Sequence, residues 1–139
     1  YLWIKGAWDA INFYKKVFDA EELIRIPSPD GTIGHAEIQI GDSRIMLSDE
    51  SAEMDFQSPT AIGGTPVHIY LYVEDVDRIY AQALAAGAKS LMALEDQFWG
   101  DRTGTLVDPL GHRWYVSTHK EDLAEEELNA RVAKFSKGP

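Results

Sequence analysis

The chain has 139 residues, a net charge of −10 and no cysteine. This length suits one domain with a real hydrophobic core, and the lack of cysteine excludes disulfides and thiolate chemistry. An acidic surface disfavours nucleic-acid binding because it repels phosphate groups. No stretch is apolar enough to span a membrane and no charged-then-apolar leader opens the chain, so we expect a cytoplasmic protein.

The first fifty residues alternate between strand and helix patterns. "YLWI" is a strand that opens without an initiator methionine, so we expect a few residues to precede Tyr1. Apolar residues in "AWDAINFYKKVFDA" recur at helical spacing. "EELIRIP" is a short strand, and "TIGHAEIQIG" and "SRIMLSDE" are strands joined by a Gly-Asp hairpin turn. Residues 51–64 lack periodicity and are predicted to be a linker.

The same order of elements returns after the linker. "VHIYLYVED" is a strand, "VDRIYAQALAAGA" is a helix that ends near Gly87, and "KSLMAL", "TGTLVD" and "RWYVST" are strands. Each half is therefore β-α-β-β-β, which predicts duplicated modules over residues 1–50 and 65–118 of one α+β domain, 1–118. The alternative is a chance order of elements. The acidic tail, 119–139, is predicted to carry a solvated helix.

Each module has one helix, which must cover one face of its sheet. The apolar strand residues belong to that face; they are Ala36, Ile38, Ile40, Ile45, Leu47, Val67, Ile69, Leu71, Val73, Trp114 and Val116. The opposite face carries His35, Glu37, Gln39, Arg44, Met46, Ser48, His68, Tyr70, Tyr72, Arg113, Tyr115 and Ser117. Its tyrosines combine apolar rings with polar tips, which suits a ligand cleft inside a curved sheet. A plain solvated face is the alternative.

Four segments carry a resemblance to a known family: "AINFYKKVFDAEEL", "GHAEIQIGDSRIMLSDE", "VHIYLYVEDVDRIYAQALAAGA" and "DQFWGDRTGTLVDPLGHRWYVSTH". The chain resembles the vicinal oxygen chelate superfamily, which includes glyoxalase I, bleomycin-resistance proteins and extradiol dioxygenases. "DQFWGDR" with "DPLGHRW" is most similar to an uncharacterised glyoxalase-like branch named after phosphonate-operon proteins. The resemblance implies two βαβββ modules that form a curved eight-stranded mixed sheet with a cleft, and a homodimer that completes or encloses it. It does not specify the chemistry, because this fold hosts unrelated functions.

Metal-dependent members of this superfamily bind one divalent ion through His and Glu side chains at equivalent strand positions. His68 matches the first ligand position of the second module. The last ligand is usually a Glu four residues after the turn glycine, but here Gly111 leads to Tyr115, and a neutral phenol is a poor ligand. The late strand of the first module offers no carboxylate before Asp49, and the remaining position falls upstream of Tyr1, where a ligand could still lie.

His68 therefore has three candidate roles. It could be a pocket residue hydrogen-bonded to Tyr115 or Glu37, a strand histidine without a function, or part of a substitute metal site with His35 and Glu37. Glu37 is also the best candidate for a catalytic acid or base. A solvated or ion-paired Glu37 is the alternative.

The loop "DQFWGDR" adds two candidates for ligand contact. Trp99 could stack on a flat ligand, and Arg102 could bind a carboxylate or phosphate. Alternatively, Trp99 packs against the linker and Arg102 pairs with Asp101 or Asp108. His119 is expected to begin the tail and is given no role.

Two functions from different classes follow. The first is a module without a catalytic metal that binds a flat or aromatic small molecule in the cleft; its candidate residues are His35, Glu37, His68, Tyr70, Tyr72, Trp99, Arg102 and Tyr115. The second is a divalent-metal-dependent lyase, isomerase or dioxygenase of the glyoxalase type. The tyrosine-rich face and the missing carboxylates favour the first function, whereas His68 favours the second.

Overall fold

The computed structural model describes residues 1–136, in which eight strands and four helices follow the predicted order. The strands are β1 (Leu2–Ile4), β2 (Glu21–Pro27), β3 (Ile33–Ile40), β4 (Ser43–Asp49), β5 (His68–Tyr72), β6 (Lys89–Asp96), β7 (Asp101–Val107) and β8 (Arg113–His119). The helices are α1 (Ala7–Phe18), α2 (Pro59–Ile62), α3 (Val76–Ala85) and α4 (Glu125–Phe135). Only α2, inside the predicted linker, was not expected. None of the helices in this range has the length and apolar character needed to cross a membrane.

The eight strands form two four-stranded sheets, one per module. The strand order is β1-β4-β3-β2 in the first sheet and β5-β8-β7-β6 in the second. In both sheets the first strand of the module runs parallel to its last strand, and the other neighbours are antiparallel. The α+β class and the two βαβββ modules are thus confirmed. We call the side of each sheet that faces away from the helices its open face.

The duplicated modules start their helices in the same way. Asp49, at the end of β4, accepts hydrogen bonds at Oδ1 from the backbone N–H groups of Gly6 and Ala7, both at 3.0 Å. Thr118, near the end of β8, accepts at Oγ1 from the backbone N–H of Val76 at 2.9 Å. The first N–H groups of a helix have no partner within the helix. The parallel strand of each module therefore supplies an acceptor that a local sequence pattern does not reveal.

Helix α1 contacts both sheets. Its Tyr14 is fully buried, donates a hydrogen bond to Asp108 at 2.7 Å and places its ring 5.3 Å from that of Trp114 on β8. The ring of Phe18 lies 4.7 Å from the same indole. The two modules consequently share one hydrophobic core, which is built from the helices and the helix-facing sides of both sheets.

The predicted helix-facing residues join this core with one exception. Ala36, Ile38, Ile40, Leu47, Trp114 and Val116 are buried, and Ile45, Ile69, Leu71 and Val73 are partly buried against the core. Val67 was assigned to the same face, but it is 64% exposed. The reason is that β5 begins only at His68, so the alternation of the strand does not extend to Val67.

The C-terminal helix α4 has no buried residue, as expected for a solvated helix. Two contacts attach it to the domain. Arg131 donates a hydrogen bond to the backbone oxygen of Phe98 at 3.4 Å, and the ring of Phe135 lies 4.8 Å from that of Phe98. The helix is therefore anchored beside the loop that precedes β7. Residues 137–139 of the predicted tail lie outside the described residues.

Candidate functional site

Four rings form a continuous row on the open face of the second sheet. Strands β5 and β8 pair so that Tyr70 lies beside Tyr115, and these two rings stack with centroids 5.1 Å apart and planes 5° apart. The ring of His68 lies 5.3 Å from Tyr115, and the ring of Tyr72 lies 5.2 Å from Tyr70. Alternate residues of a strand share one face, which is why these positions meet. We call His68, Tyr115, Tyr70 and Tyr72 the aromatic row.

A buried carboxylate lies at the Tyr72 end of the aromatic row. Asp101 accepts hydrogen bonds at Oδ2 from the Tyr72 hydroxyl at 2.8 Å and from the Trp99 indole N–H at 3.2 Å. Its Oδ1 lies 2.8 Å from Nδ1 of His119, whose Nε2 lies 2.8 Å from Asp122 Oδ1. The Asp101 side chain is 5% exposed. A single carboxylate thus orients a phenol, an indole and an imidazole.

These contacts set the protonation of the site. Burial alone would raise the pKa of Asp101, but hydrogen bonds from three side chains, the strongest from His119, outweigh burial and lower it. Hydrogen bonds to Asp101 and then to Asp122 raise the pKa of His119. The hydrogen bond to Asp101 also raises the pKa of Tyr72, with desolvation adding to the effect. At neutral pH the site therefore holds an ionised carboxylate beside a neutral phenol.

Tyr70 ends a separate chain of hydroxyl groups. Thr103 Oγ1 on β7 lies 2.8 Å from Ser117 Oγ on β8, and Ser117 donates to the Tyr70 hydroxyl at 3.0 Å. Thr103 and Ser117 are completely buried beneath the row. The position of Tyr70 is thus held by hydrogen bonding as well as by stacking.

Trp99 lies beside the aromatic row, where the loop sequence suggested a ligand contact. Its ring is partly exposed and meets Phe98 edge-on, with centroids 5.1 Å apart. The alternative was that Trp99 packs against the linker. A different tryptophan makes that contact, because Trp3 stacks on Phe56 at 3.9 Å.

His35 and Glu37 lie on β3 of the first sheet and are not brought to the aromatic row. His35 Nδ1 lies 3.0 Å from the Tyr1 hydroxyl, and His35 Nε2 lies 3.3 Å from Glu37 Oε1. Arg44 donates to Glu37 Oε2 at 3.1 Å. Glu37 is therefore an ion-paired carboxylate, which was the alternative to an acid–base role.

His68 contacts Tyr115 through its ring. Within residues 1–136, no hydrogen bond joins His68 to the predicted partners Tyr115 and Glu37, and Glu37 belongs to the other sheet. The structure therefore unites His68, Tyr70, Tyr72, Tyr115 and Trp99, and separates them from the first-sheet candidates.

Arg102 points to the helix side of its sheet, away from the aromatic row. Its guanidinium donates to Asp77 on α3 at 2.9 Å and to Asp96 on β6 at 3.2 Å. Asp101 already occupies the open face, and consecutive strand residues point to opposite faces. The expected alternative partners were Asp101 and Asp108, and Arg102 instead pairs with Asp77 and Asp96 across the helix side.

Asp101 and His119 are site residues that the sequence pattern did not indicate. The pattern places Asp101 in a loop and His119 at the start of the tail. Both belong to strands, and they are directly paired in the register of β7 and β8. The available signal was strand alternation, since Asp101, Thr103 and Thr105 lie on one face.

A family model described as Glyoxalase/Bleomycin resistance protein/Dioxygenase superfamily matches residues 2–116. The chain belongs to this superfamily. Among its relatives in the superfamily, an uncharacterised protein of Mycobacterium tuberculosis is 43% identical over 141 residues, which cover 99% of this chain and 83% of that protein.

Solved structures of the glyoxalase-like fold agree with this membership. TioX from Micromonospora sp. ML1 is 28% identical with a TM-score of 0.66, over 88% of this chain and 95% of that one. A Bacillus cereus PhnB protein, described as a putative 3-demethylubiquinone-9 3-methyltransferase, is 21% identical with a TM-score of 0.67, over 84% of this chain and 94% of that one. The predicted superfamily and fold are confirmed.

Apart from His68, the residues at the expected metal positions of the glyoxalase superfamily differ from the usual ligands. In the described part of the chain, no three histidine or carboxylate side chains lie close enough together to hold a metal ion. Tyr115 lies on the strand beside His68, and Met46 and Ser48 occupy the open face of β4. These residues do not fit a divalent ion, which prefers imidazole and carboxylate donors.

Proposed function

We propose that the chain is a binding module of the glyoxalase/bleomycin resistance superfamily that holds a flat or aromatic small molecule against the aromatic row, without a catalytic metal. The observation that carries this proposal is the exposure of two rings of the row: Tyr70 is 45% exposed and Tyr72 is 58% exposed. Phenol rings offer a flat apolar surface with polar tips. A planar ligand can therefore stack on the row while its polar edge reaches the hydroxyl groups.

We further propose that a second copy of the chain covers the row. Both sheets turn their helix-facing sides to the shared core, and no hydrogen bond or ring contact among residues 1–136 joins the two open faces. Both open faces expose apolar side chains, namely Ile24, Ile26 and Met46 on the first sheet and Tyr70, Tyr72 and Met92 on the second. Exposed apolar patches mark interaction surfaces. The predicted cleft would then form between protomers, with the first sheet of one protomer over the aromatic row of its partner.

The proposal includes a cytoplasmic location and no nucleic-acid partner. The absence of cysteine and the net charge of −10 support these two points.

A divalent-metal-dependent lyase, isomerase or dioxygenase is the second candidate. It is favoured by one observation, the match of His68 to the first ligand position of the second module. A metal enzyme would need carboxylate or imidazole donors from outside residues 1–136 or from a partner chain.

Elemental analysis of the full-length protein, followed by titration with naphthalene, tests the first proposal against the second. We expect far less than one divalent ion per chain, and we expect naphthalene to quench tryptophan fluorescence because it stacks near Trp99. A Tyr115→Leu variant keeps an apolar side chain but loses the stacking ring, so its affinity should fall about fivefold.

A Phe135→Leu variant, which loses an exposed ring outside the row, serves as the matched control and should bind as the wild type does. One ion per chain that disappears in a His68→Ala variant would favour the metal enzyme instead. If the Tyr115→Leu variant binds naphthalene as tightly as the wild type does, the aromatic row is not part of the binding site.

A further inference from the structure

The hydrogen bonds beneath the aromatic row fix the direction of the hydroxyl protons. Thr103 is completely buried, and Ser117 is the hydrogen-bond partner of its hydroxyl within residues 1–136. A buried hydroxyl that fails to donate its proton loses free energy, so Thr103 donates to Ser117. The single proton of Ser117 is then directed to Tyr70. Tyr70 consequently accepts from the sheet and keeps its own proton for a group above the row.

Tyr72 is arranged in the opposite way. Its hydroxyl donates to Asp101, and an ionised carboxylate can only accept. Since a phenol has one proton, Tyr72 presents only oxygen lone pairs to a group above the row. The two phenols therefore have opposite hydrogen-bonding polarity at the surface that a ligand would contact.

The two hydroxyl groups are close enough to contact one small polar edge. Their rings lie 5.2 Å apart on the same strand face, and within residues 1–136 each hydroxyl is bonded to a different partner, Tyr70 to Ser117 and Tyr72 to Asp101. A ligand that accepts from Tyr70 and donates to Tyr72 would extend both hydrogen-bond chains without reversing either.

We propose that the ligand of the aromatic row is a flat, uncharged molecule with a hydrogen-bond acceptor and donor on neighbouring atoms of one edge, as in a lactam. Its carbonyl oxygen accepts from Tyr70, and its N–H donates to Tyr72. This inference rests on the proposed function, because it names the class of molecule for the same site. A carboxylate is disfavoured, since its oxygens would face the lone pairs of Tyr72 with the ionised Asp101 behind them.

Three flat bicyclic probes separate the contributions of the hydrogen-bond donor, the hydrogen-bond acceptor and the ring to binding. Isoquinolin-1(2H)-one has both polar atoms, its N-methyl derivative lacks the donor, and naphthalene lacks both. We expect isothermal titration calorimetry on the wild-type protein to give about fivefold tighter binding of the N–H lactam than of the N-methyl lactam, which corresponds to one neutral hydrogen bond.

Two conservative variants test which tyrosine hydroxyl contacts the carbonyl oxygen of the lactam and which contacts its N–H. In Tyr72→Phe the preference for the N–H lactam over the N-methyl lactam should disappear. In Tyr70→Phe that preference should remain, while both lactams weaken about fivefold relative to naphthalene. Thermal denaturation of each variant shows whether it is folded, and naphthalene binding shows whether the ring surface is intact.

The outcomes distinguish this inference from the proposed function. Equal binding of the two lactams by the wild type, or a preference that survives in Tyr72→Phe, would overturn the inference. The proposed function would still be supported if naphthalene binds. Failure of all three probes to bind up to the solubility limit of each would overturn both.

Discussion

Asp101 decides the orientation of the polar groups at the end of the aromatic row. A buried carboxylate is costly unless its oxygens are hydrogen-bonded, and here three side chains supply those bonds. The pair formed by Asp101 and His119 also links β7 to the last residue of β8. One residue therefore couples the ligand-facing Tyr72 and Trp99 to the start of the C-terminal segment.

The first prediction concerns the pH dependence of this pair. The raised pKa of His119 makes its stabilisation fully present below the unfolded pKa of about 6.5, and the stabilisation is lost as pH rises through the higher folded pKa. The lowered pKa of Asp101 makes its contribution present above about 3.9 and lost as pH falls through the folded pKa. Urea denaturation should therefore show the largest loss of stability in His119→Gln between about pH 4 and pH 6.5, and a smaller loss near pH 9.

The control is the same substitution in an Asp101→Asn background. There the loss caused by His119→Gln should be smaller, because the carboxylate partner is already gone. A loss that does not vary with pH would contradict the ion-pair interpretation.

At the scale of elements, the loop before β7 and the segment after β8 hold each other in place. Gly100 has a φ of +101°, and its carbonyl oxygen accepts from the backbone N–H groups of Lys120 and Glu121 at 2.9 and 3.1 Å. A Cβ atom at Gly100 would lie 2.5 Å from the Glu121 carbonyl oxygen. The close approach of two backbones thus requires glycine here, and it positions both Trp99 and the anchor of α4.

We therefore predict that Gly100→Ala loosens the C-terminal segment. The added methyl group cannot fit against a backbone oxygen, so residues 120–135 should exchange amide hydrogens faster than in the wild type. Gly63→Ala is the matched control, because Gly63 also has a positive φ, +82°, but no atom lies within 4 Å of its added Cβ. Backbone strain at positive φ should cost each variant about 1 kcal/mol, and Gly100→Ala should lose more because its Cβ also meets a backbone oxygen. Faster exchange in both variants, or in neither, would show that the backbone contact does not hold the segment.

At the scale of the whole molecule, the shared core directs the two open faces outward. Helix α1 packs on its own sheet and against Trp114 of the other sheet. Within residues 1–136 the aromatic row therefore has no opposite wall. The same arrangement leaves apolar side chains such as Ile26 exposed on the first sheet.

The third prediction follows from the proposed pairing of open faces. Light scattering combined with gel filtration should show a dimer for the wild type, and Ile26→Lys should shift it to a monomer because a charge cannot be buried there without a partner. Leu84→Lys places the same charge on an exposed apolar position of α3, outside the open faces, and should leave the dimer intact. A wild type that is monomeric at all concentrations would contradict the pairing.

The sequence by itself determined the two βαβββ modules, the division of strand residues into two faces and the gathering of His68, Tyr70 and Tyr72 on one of them. These features are local, because the periods of a helix and a strand follow from backbone geometry. Only the tertiary structure decided that Asp101 meets His119, that Arg102 is held by Asp77 and Asp96, and that both modules share one core with their open faces outward. Those outcomes depend on strand register and on the packing of α1 across modules, which are contacts between residues far apart in the chain and leave no periodic signal in the sequence.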